Sequence, residues 1–166
     1  MTQHQNNNEV APERAFLKGA LAGFVATLPM TIFMLATQRF LPKRQQYELP
    51  PEMITKELAH RAHVRHHLNK QLILGATTAS HFGYGAAMGA AYGPLQKRVP
   101  LPTIAQGVLY GLLVWAASYL GLLPLLGISA SGHKEPGRRN LMMIAAHIVW
   151  GASMGAMARL LFGEEG

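Results

Sequence analysis

Four apolar runs, each long enough to cross a lipid bilayer, dominate the sequence. They cover residues 15–41, 71–93, 103–126 and 141–162. A helix rises 1.5 Å per residue, so roughly 20 apolar residues cross the hydrocarbon layer. The pattern predicts an all-α fold, a four-helix transmembrane bundle made of two tandem helical hairpins, in a single domain over residues 13–163.

The polar stretches between and before these runs predict the remaining elements. Residues 1–12 are rich in Asn and Gln and have no apolar face to bury, which predicts a disordered tail. In the first loop, Pro50 and Pro51 followed by Glu52 are typical of a helix start. We predict a short amphipathic helix over residues 51–68, either on the membrane surface or capping the bundle.

The composition excludes several kinds of site. The 166 residues contain neither Cys nor Asp, which excludes disulfides, thiolate metal sites and cysteine nucleophiles. The net charge of +7 comes from basic residues between the apolar runs, not along one helix face. We therefore expect a lipid bilayer as partner and no nucleic acid. The alternative is a soluble helical bundle rich in Gly and Ala.

The second and fourth runs share the pattern His, two residues, an aromatic residue, Gly, three residues, Gly. The first and third runs share Gly-x-x-x-Gly. We interpret this as an internal repeat of two hairpins entering the membrane in the same sense. Small residues four apart allow close packing of membrane helices. The predicted packing glycines are Gly19, Gly23, Gly85, Gly89, Gly93, Gly107, Gly111, Gly151 and Gly155.

The sharpest candidate site is the pair His81 and His147. Each lies four residues before a packing glycine, Gly85 or Gly151, and so on the packed side of its helix. We expect the two rings at similar depth. Three interpretations stay open: neutral histidines that tie helices together, histidines that carry or sense protons, and ligands of haem or a metal.

A second histidine cluster lies in the first loop. His60, His63 and His67 would share one face of the predicted helix, and His66 lies beside them. This spacing suits a divalent metal. The neighbouring Arg61 and Arg65 oppose a cation, so a pH-dependent charge patch near lipid headgroups and a plain solvated surface are the alternatives.

The segment from Gly151 to Gly155 matches G-x-S-x-G, with Ser153 in the serine position. That motif requires a strand–turn–helix elbow, whereas this segment lies inside an apolar helical run. We therefore predict that the protein is not an enzyme, and assign no catalytic residue. No cofactor is expected unless the histidine pair holds haem or a divalent metal.

The run YGLLVWAASYLGLLPLLGI, with HFGYGAAMGAAYG before it and AAHIVWGASMGA after it, resembles the YagU-like family of small bacterial inner-membrane proteins. The resemblance covers most of residues 15–162. It implies a multi-pass protein of the bacterial inner membrane without established catalytic residues. Ten of the fifteen basic residues lie in or beside the first and third loops, which predicts that these loops are cytoplasmic.

The sequence thus predicts a multi-pass membrane protein with three competing functions. The first is a proton- or pH-linked role of the histidine pair. The second is haem or metal binding by the same pair, and the third is a purely structural scaffold. A bundle of this size leaves little room for an internal path, so a homo-oligomer is a further prediction.

Overall fold

The structure is a computed structural model that describes residues 12–96, 98–125, 127 and 135–163. All regular elements in these ranges are helical. They are α1 (Pro12–Gln38), α2 (Pro50–Arg61), α3 (Lys70–Tyr92), α4 (Thr103–Ala116), a π-helix (Ala117–Leu122), α5 (Leu123–Leu125) and α6 (Gly137–Phe162), with short 3₁₀ turns at Lys43–Gln45, Arg65–His67 and Gly93–Leu95. The prediction of an all-helical fold is confirmed. Of the predicted disordered tail, residues 1–11 lie outside the described ranges.

Among the described residues, three helical segments are long and apolar enough to span a membrane: Pro12–Gln38, Thr103–Leu125 and Gly137–Phe162. They correspond to the first, third and fourth predicted spans. The second predicted span is also a helix, α3. Among the described helices, however, it is not one of those that are apolar enough to span a membrane. Its first half carries Thr77, Thr78 and Ser80, which lower its mean hydropathy.

The long helices pack in two glycine-lined pairs that meet through α1 and α6. In the first pair, a Cβ added to Gly19 would lie 2.9 Å from Cα of Gly93, so α1 and α3 touch backbone to backbone. In the second, a Cβ added to Gly107 would lie 3.0 Å from Cα of Gly155, which brings α4 and α6 equally close. The α1–α6 contact joins the pairs, and Trp150 of α6 donates through Nε1 to the carbonyl of Gly23 at 3.2 Å.

Tyrosines connect α3 to α4 on the other side of the bundle. Tyr110 donates its hydroxyl to the carbonyl of Met88 at 2.8 Å, and its ring lies 5.2 Å from that of Tyr92. Tyr84 shares a hydrogen bond of 2.8 Å with Ser118. Because these side chains are long, they hold α3 and α4 further apart than the glycines hold the other pairs.

A π-helix interrupts the third apolar segment just before Pro124. Proline lacks an N–H and collides with the carbonyl four residues earlier, so a regular α-helix cannot continue unchanged to Pro124. The structure accommodates Pro124 by widening the turn over Ala117–Leu122. This turn carries Ser118 and Tyr119, both buried, into the bundle.

The loop helix is shorter than predicted, because α2 ends at Arg61 and not near residue 68. His63 adopts a left-handed backbone conformation with φ of +59°. The N–H of Val64 donates to the carbonyl of Ala59 at 3.1 Å, and that of His63 donates to the carbonyl of His60 at 3.0 Å. This pair of bonds is the Schellman motif that terminates helices.

Helix α2 caps one end of the bundle. Thr55 lies 3.3 Å from Ser80 of α3 through their hydroxyl oxygens, and Met53 and Ile54 pack against Leu123. Met53, Ile54 and Thr55 of α2 therefore face other helices, whereas Leu58 of the same helix is half exposed.

A fully buried arginine fixes the chain between α1 and α2. The Arg139 side chain has no exposed surface and donates to the carbonyls of Gln45 at 3.0 Å, Tyr47 at 3.1 Å and Glu48. Its Nε lies 2.9 Å from Oε2 of Glu135, an ion pair in which the N–H is not aligned for a hydrogen bond. The guanidinium also covers the Tyr47 ring at 3.7 Å.

Candidate functional site

A cavity of about 280 Å³ lies beneath α2, between α1, α3, the π-helix and α6. Apolar side chains form most of its wall, with Met30 and Met34 from α1, Met88 from α3 and Val114 from α4. None of the described residues that line it is Lys, Arg, Asp or Glu. The cavity is close to the lower end of the size range of small-molecule sites, about 300 to 1,000 Å³.

Both predicted histidines line this cavity. His147 is buried in α6, and its Nδ1 lies 2.8 Å from the carbonyl oxygen of Met143, one turn earlier. A carbonyl only accepts, so Nδ1 carries the hydrogen and Nε2 of the neutral ring is an acceptor. Tyr119 meets the His147 ring edge to face at 5.9 Å.

His81 differs from His147 in that one of its ring nitrogens is fully buried without a hydrogen bond to any described residue. Its Nε2 is buried and has no hydrogen-bond partner among the described residues. A buried polar atom without a partner costs about 1–3 kcal/mol. The cavity therefore contains a polar group that a bound molecule could satisfy.

Several other polar groups of the cavity already have partners. The Tyr84 and Ser118 hydroxyls bond to each other at 2.8 Å. Thr27 donates to the carbonyl of Gly23 at 2.8 Å, and it accepts from Nε1 of Trp150 at 3.3 Å. His81 Nε2, by contrast, is buried in the cavity wall without a partner among the described residues.

The glycine contacts do not follow the register of the shared histidine motif. A Cβ on Gly23 would lie 2.8 Å from Cα of Gly89, and one on Gly111 would lie 3.2 Å from Cα of Gly151. In the shared motif, Gly89 corresponds in position to Gly155. In the helix crossings, Gly89 instead corresponds to Gly151, because Gly89 meets Gly23 and Gly151 meets Gly111. The two crossings are therefore displaced by one helical turn relative to the motif, and the internal repeat stays a prediction.

The loop histidines do not form the predicted helical face. His60 lies in the last turn of α2, His63 terminates that helix, and His66 and His67 follow in a 3₁₀ turn with ring centroids 3.9 Å apart. A face shared by His60, His63 and His67 would require a helix that continues past His63. In the described part of the chain, no three His or Glu side chains are placed to hold a metal ion.

The serine of the G-x-S-x-G match lies within the regular helix α6. Ser153 therefore has helix on both sides and does not lie on the strand–turn–helix elbow that the motif requires.

A protein-family model described as "Protein of unknown function (DUF1440)" matches residues 9–156. The chain belongs to the DUF1440 family. That family match covers the cavity and every predicted packing glycine. Comparison with curated proteins gives no match, and neither does comparison with solved structures.

Two features of this DUF1440 chain were not predicted from its sequence. Ser118 and Tyr119 enter the site because the π-helix turns them inward, and no sequence pattern marked that turn. The Arg139 network was also missed. Its one visible signal is the four-residue spacing of Glu135 and Arg139, which places opposite charges side by side at a helix start.

Proposed function

We propose that the protein is a four-span integral membrane protein that binds a small, predominantly apolar molecule in the cavity between His81 and His147. The observation that carries the proposal is the buried, unpartnered Nε2 of His81 in a predominantly apolar cavity. Ligand sites commonly combine apolar walls with a few polar groups that fix orientation. A ligand with one hydroxyl or carbonyl group meets both requirements.

The proposal makes α3 the fourth span. Its 23 residues correspond to about 35 Å of helix, which exceeds the roughly 30 Å of hydrocarbon. It packs antiparallel against α1 through Gly85, Gly89 and Gly93, so it lies alongside a helix that is apolar enough to span. His81, a polar residue of α3 that lines the cavity, is thereby partly withdrawn from lipid.

The choice of membrane follows the resemblance to YagU-like proteins, and the orientation of the loops follows the distribution of basic residues. We propose the bacterial inner membrane, with the first and third loops in the cytoplasm. The end of the bundle that α2 caps would then face the cytoplasm, and the cavity would lie in that half of the membrane.

Two other functions of the same residues compete with ligand binding. Imidazole titrates near neutral pH, so the histidine pair could instead carry protons. The bond from His147 Nδ1 to the Met143 carbonyl leaves Nε2 for a metal, as in many histidine ligands. Visible absorbance and elemental analysis of detergent-purified protein test the haem or metal alternative. A chromophore or a stoichiometric metal would overturn our proposal in favour of haem or metal binding.

The direct test compares 4-propylphenol with propylbenzene, which has the same apolar part but no hydroxyl. We expect 4-propylphenol to raise the thermal unfolding midpoint and to shift the ¹⁵N resonances of the His81 imidazole, with a weaker effect of propylbenzene. The response should be lost in His81→Leu and kept in His60→Leu, because His60 is exposed and outside the cavity. Equal responses in both variants, or none in the unmodified protein, would refute the proposal.

A further inference from the structure

The cavity has an open side, which the exposure of its lining residues identifies. Four of them are exposed: Leu58 of α2 at 50%, Tyr84 of α3 at 40%, Leu122 of the π-helix at 46%, and Ser80 of α3. We call these four residues the mouth. The opposite wall is closed, since Thr27, Met34 and Trp150 are each at most 3% exposed.

The mouth opens through the side of the bundle and not through its end. Ser80 lies ten residues into α3, about 15 Å along the helix from Lys70. Leu122 belongs to the third apolar segment, Thr103–Leu125. Helix α2 lies over the end of the cavity and contacts α3 through Thr55 and Ser80. A molecule that reaches the cavity through the mouth therefore passes between α2, α3 and the π-helix, beside a segment that is apolar enough to span a membrane.

The wall chemistry restricts what can pass. The described residues of the cavity include no Lys, Arg, Asp or Glu, so a charged headgroup would be buried without a counter-ion at high cost. The unpartnered Nε2 of His81 favours an uncharged group that donates or accepts a hydrogen bond. Methionines at 30, 34 and 88 provide an adaptable apolar wall.

We infer that the cavity takes an uncharged single-chain lipid, of the long-chain alcohol or phenol class, which enters sideways from the bilayer with its polar end directed to His81. This inference rests on the proposed function and names its ligand class. The hydroxyl bonds to Nε2 of His81, and the chain lies in the mouth and extends into the membrane.

Trp150 provides the measurement, because it lines the cavity and Trp115 is the other tryptophan of the chain. In a Trp115→Phe background, in phosphatidylcholine nanodiscs, we expect saturable fluorescence quenching by a long-chain alcohol brominated beside its hydroxyl. The same alcohol brominated at its far end should quench much less. An unbrominated long-chain alcohol should reverse the quenching, whereas an alkane of equal length should not.

Ser80→Phe closes the mouth, and Ala79→Phe is its matched control on an exposed residue of the same helix outside the cavity. Quenching should be lost in Ser80→Phe and kept in Ala79→Phe. Equal quenching by the two bromination isomers, or in the two variants, would overturn the inference. The competition between alcohol and alkane needs no substitution in the mouth, so it decides the case even if Ser80→Phe does not fold.

The outcome also separates this inference from the proposed function. If 4-propylphenol binds but neither brominated alcohol quenches Trp150, the cavity is a ligand site and the lateral lipid route is wrong. If none of the three compounds binds, both proposals fail.

Discussion

Gly23 and Gly89 face each other where α1 crosses α3, with no side chain between the two backbones. A Cβ added to Gly89 would lie 2.7 Å from Cα of Gly23 and 2.8 Å from its nitrogen. Real Cβ atoms do not approach backbone so closely, so this crossing requires glycine at both positions. The crossing matters for the site because α1 and α3 both contribute cavity wall.

Gly89→Ala should lower the free energy of unfolding by about 1–3 kcal/mol, the usual cost of overpacking a close contact. The added methyl group forces the two backbones apart, which outweighs the better helix propensity of Ala. Denaturant titration in detergent micelles measures the change. Gly83→Ala is the control, because nothing lies within 4 Å of its added Cβ. A loss of the same size in both variants would contradict the crossing.

Arg139→Met should destabilise the protein by about 3–5 kcal/mol, because it leaves the Glu135 carboxylate buried without its partner. It also removes the donors to three loop carbonyls. Arg139→Lys should restore only part of the loss, since an ammonium group lacks the planar fork of donors. Thermal and chemical unfolding report the effect.

The matched control for this change is Arg138→Met, the adjacent but exposed residue. We expect a change within about 0.5 kcal/mol there, as for most surface substitutions. Arg139 also lies in the first turn of α6, where the helix dipole disfavours a cation. A stable Arg139→Met variant would show that the network is dispensable.

Tyr47→Phe should change how stability depends on pH above pH 10. Partial burial, together with its hydrogen bond to Glu135, raises the pKa of Tyr47 from 10.0 to about 12. The unfolded chain then loses its proton first, so stability that is complete below pH 10 declines as pH rises toward 12. Unfolding midpoints measured across this window should fall less steeply in Tyr47→Phe. Parallel profiles of the two proteins would be inconsistent with the raised pKa.

Trp150→Phe should lower the free energy of unfolding more than Trp115→Phe, although both remove an indole from the bundle. Nε1 of Trp150 donates to Gly23 and to Thr27, which ties α6 to α1. Nε1 of Trp115 is buried without a partner among the described residues. Each lost hydrogen bond is worth about 0.5–1.5 kcal/mol. Unfolding of the two variants under identical conditions tests the order, and the reverse order would disprove it.

His63→Gly should stabilise the protein by about 1 kcal/mol. His63 has a φ of +59°, a conformation that costs most side chains about 1–2 kcal/mol and costs glycine little. Ala62→Gly is the control, because Ala62 has a φ of −76° and gains nothing from glycine. Differential scanning calorimetry in detergent compares the two, and equal shifts would exclude the backbone explanation.

The positions of the long helices could be predicted because membrane-length helices depend on local composition. The predicted spans 15–41, 103–126 and 141–162 each overlap a helix that is apolar enough to cross a membrane. The end of α2 could not be predicted in the same way. A histidine in the left-handed conformation terminates it, and histidine is not a residue whose presence signals such a turn.

The candidate side chains of the site follow from local spacing. The four-residue spacing placed His81 and His147 on the glycine sides of their helices, and both line the cavity. Their other neighbours in the cavity depend on how the helices pack. The turn inward of Ser118 and Tyr119 depends on a π-helix, and the one-turn displacement of the glycine crossings depends on how two backbones fit together. Spacing along one helix is a local property, whereas register between helices is set by contacts between residues far apart in the chain.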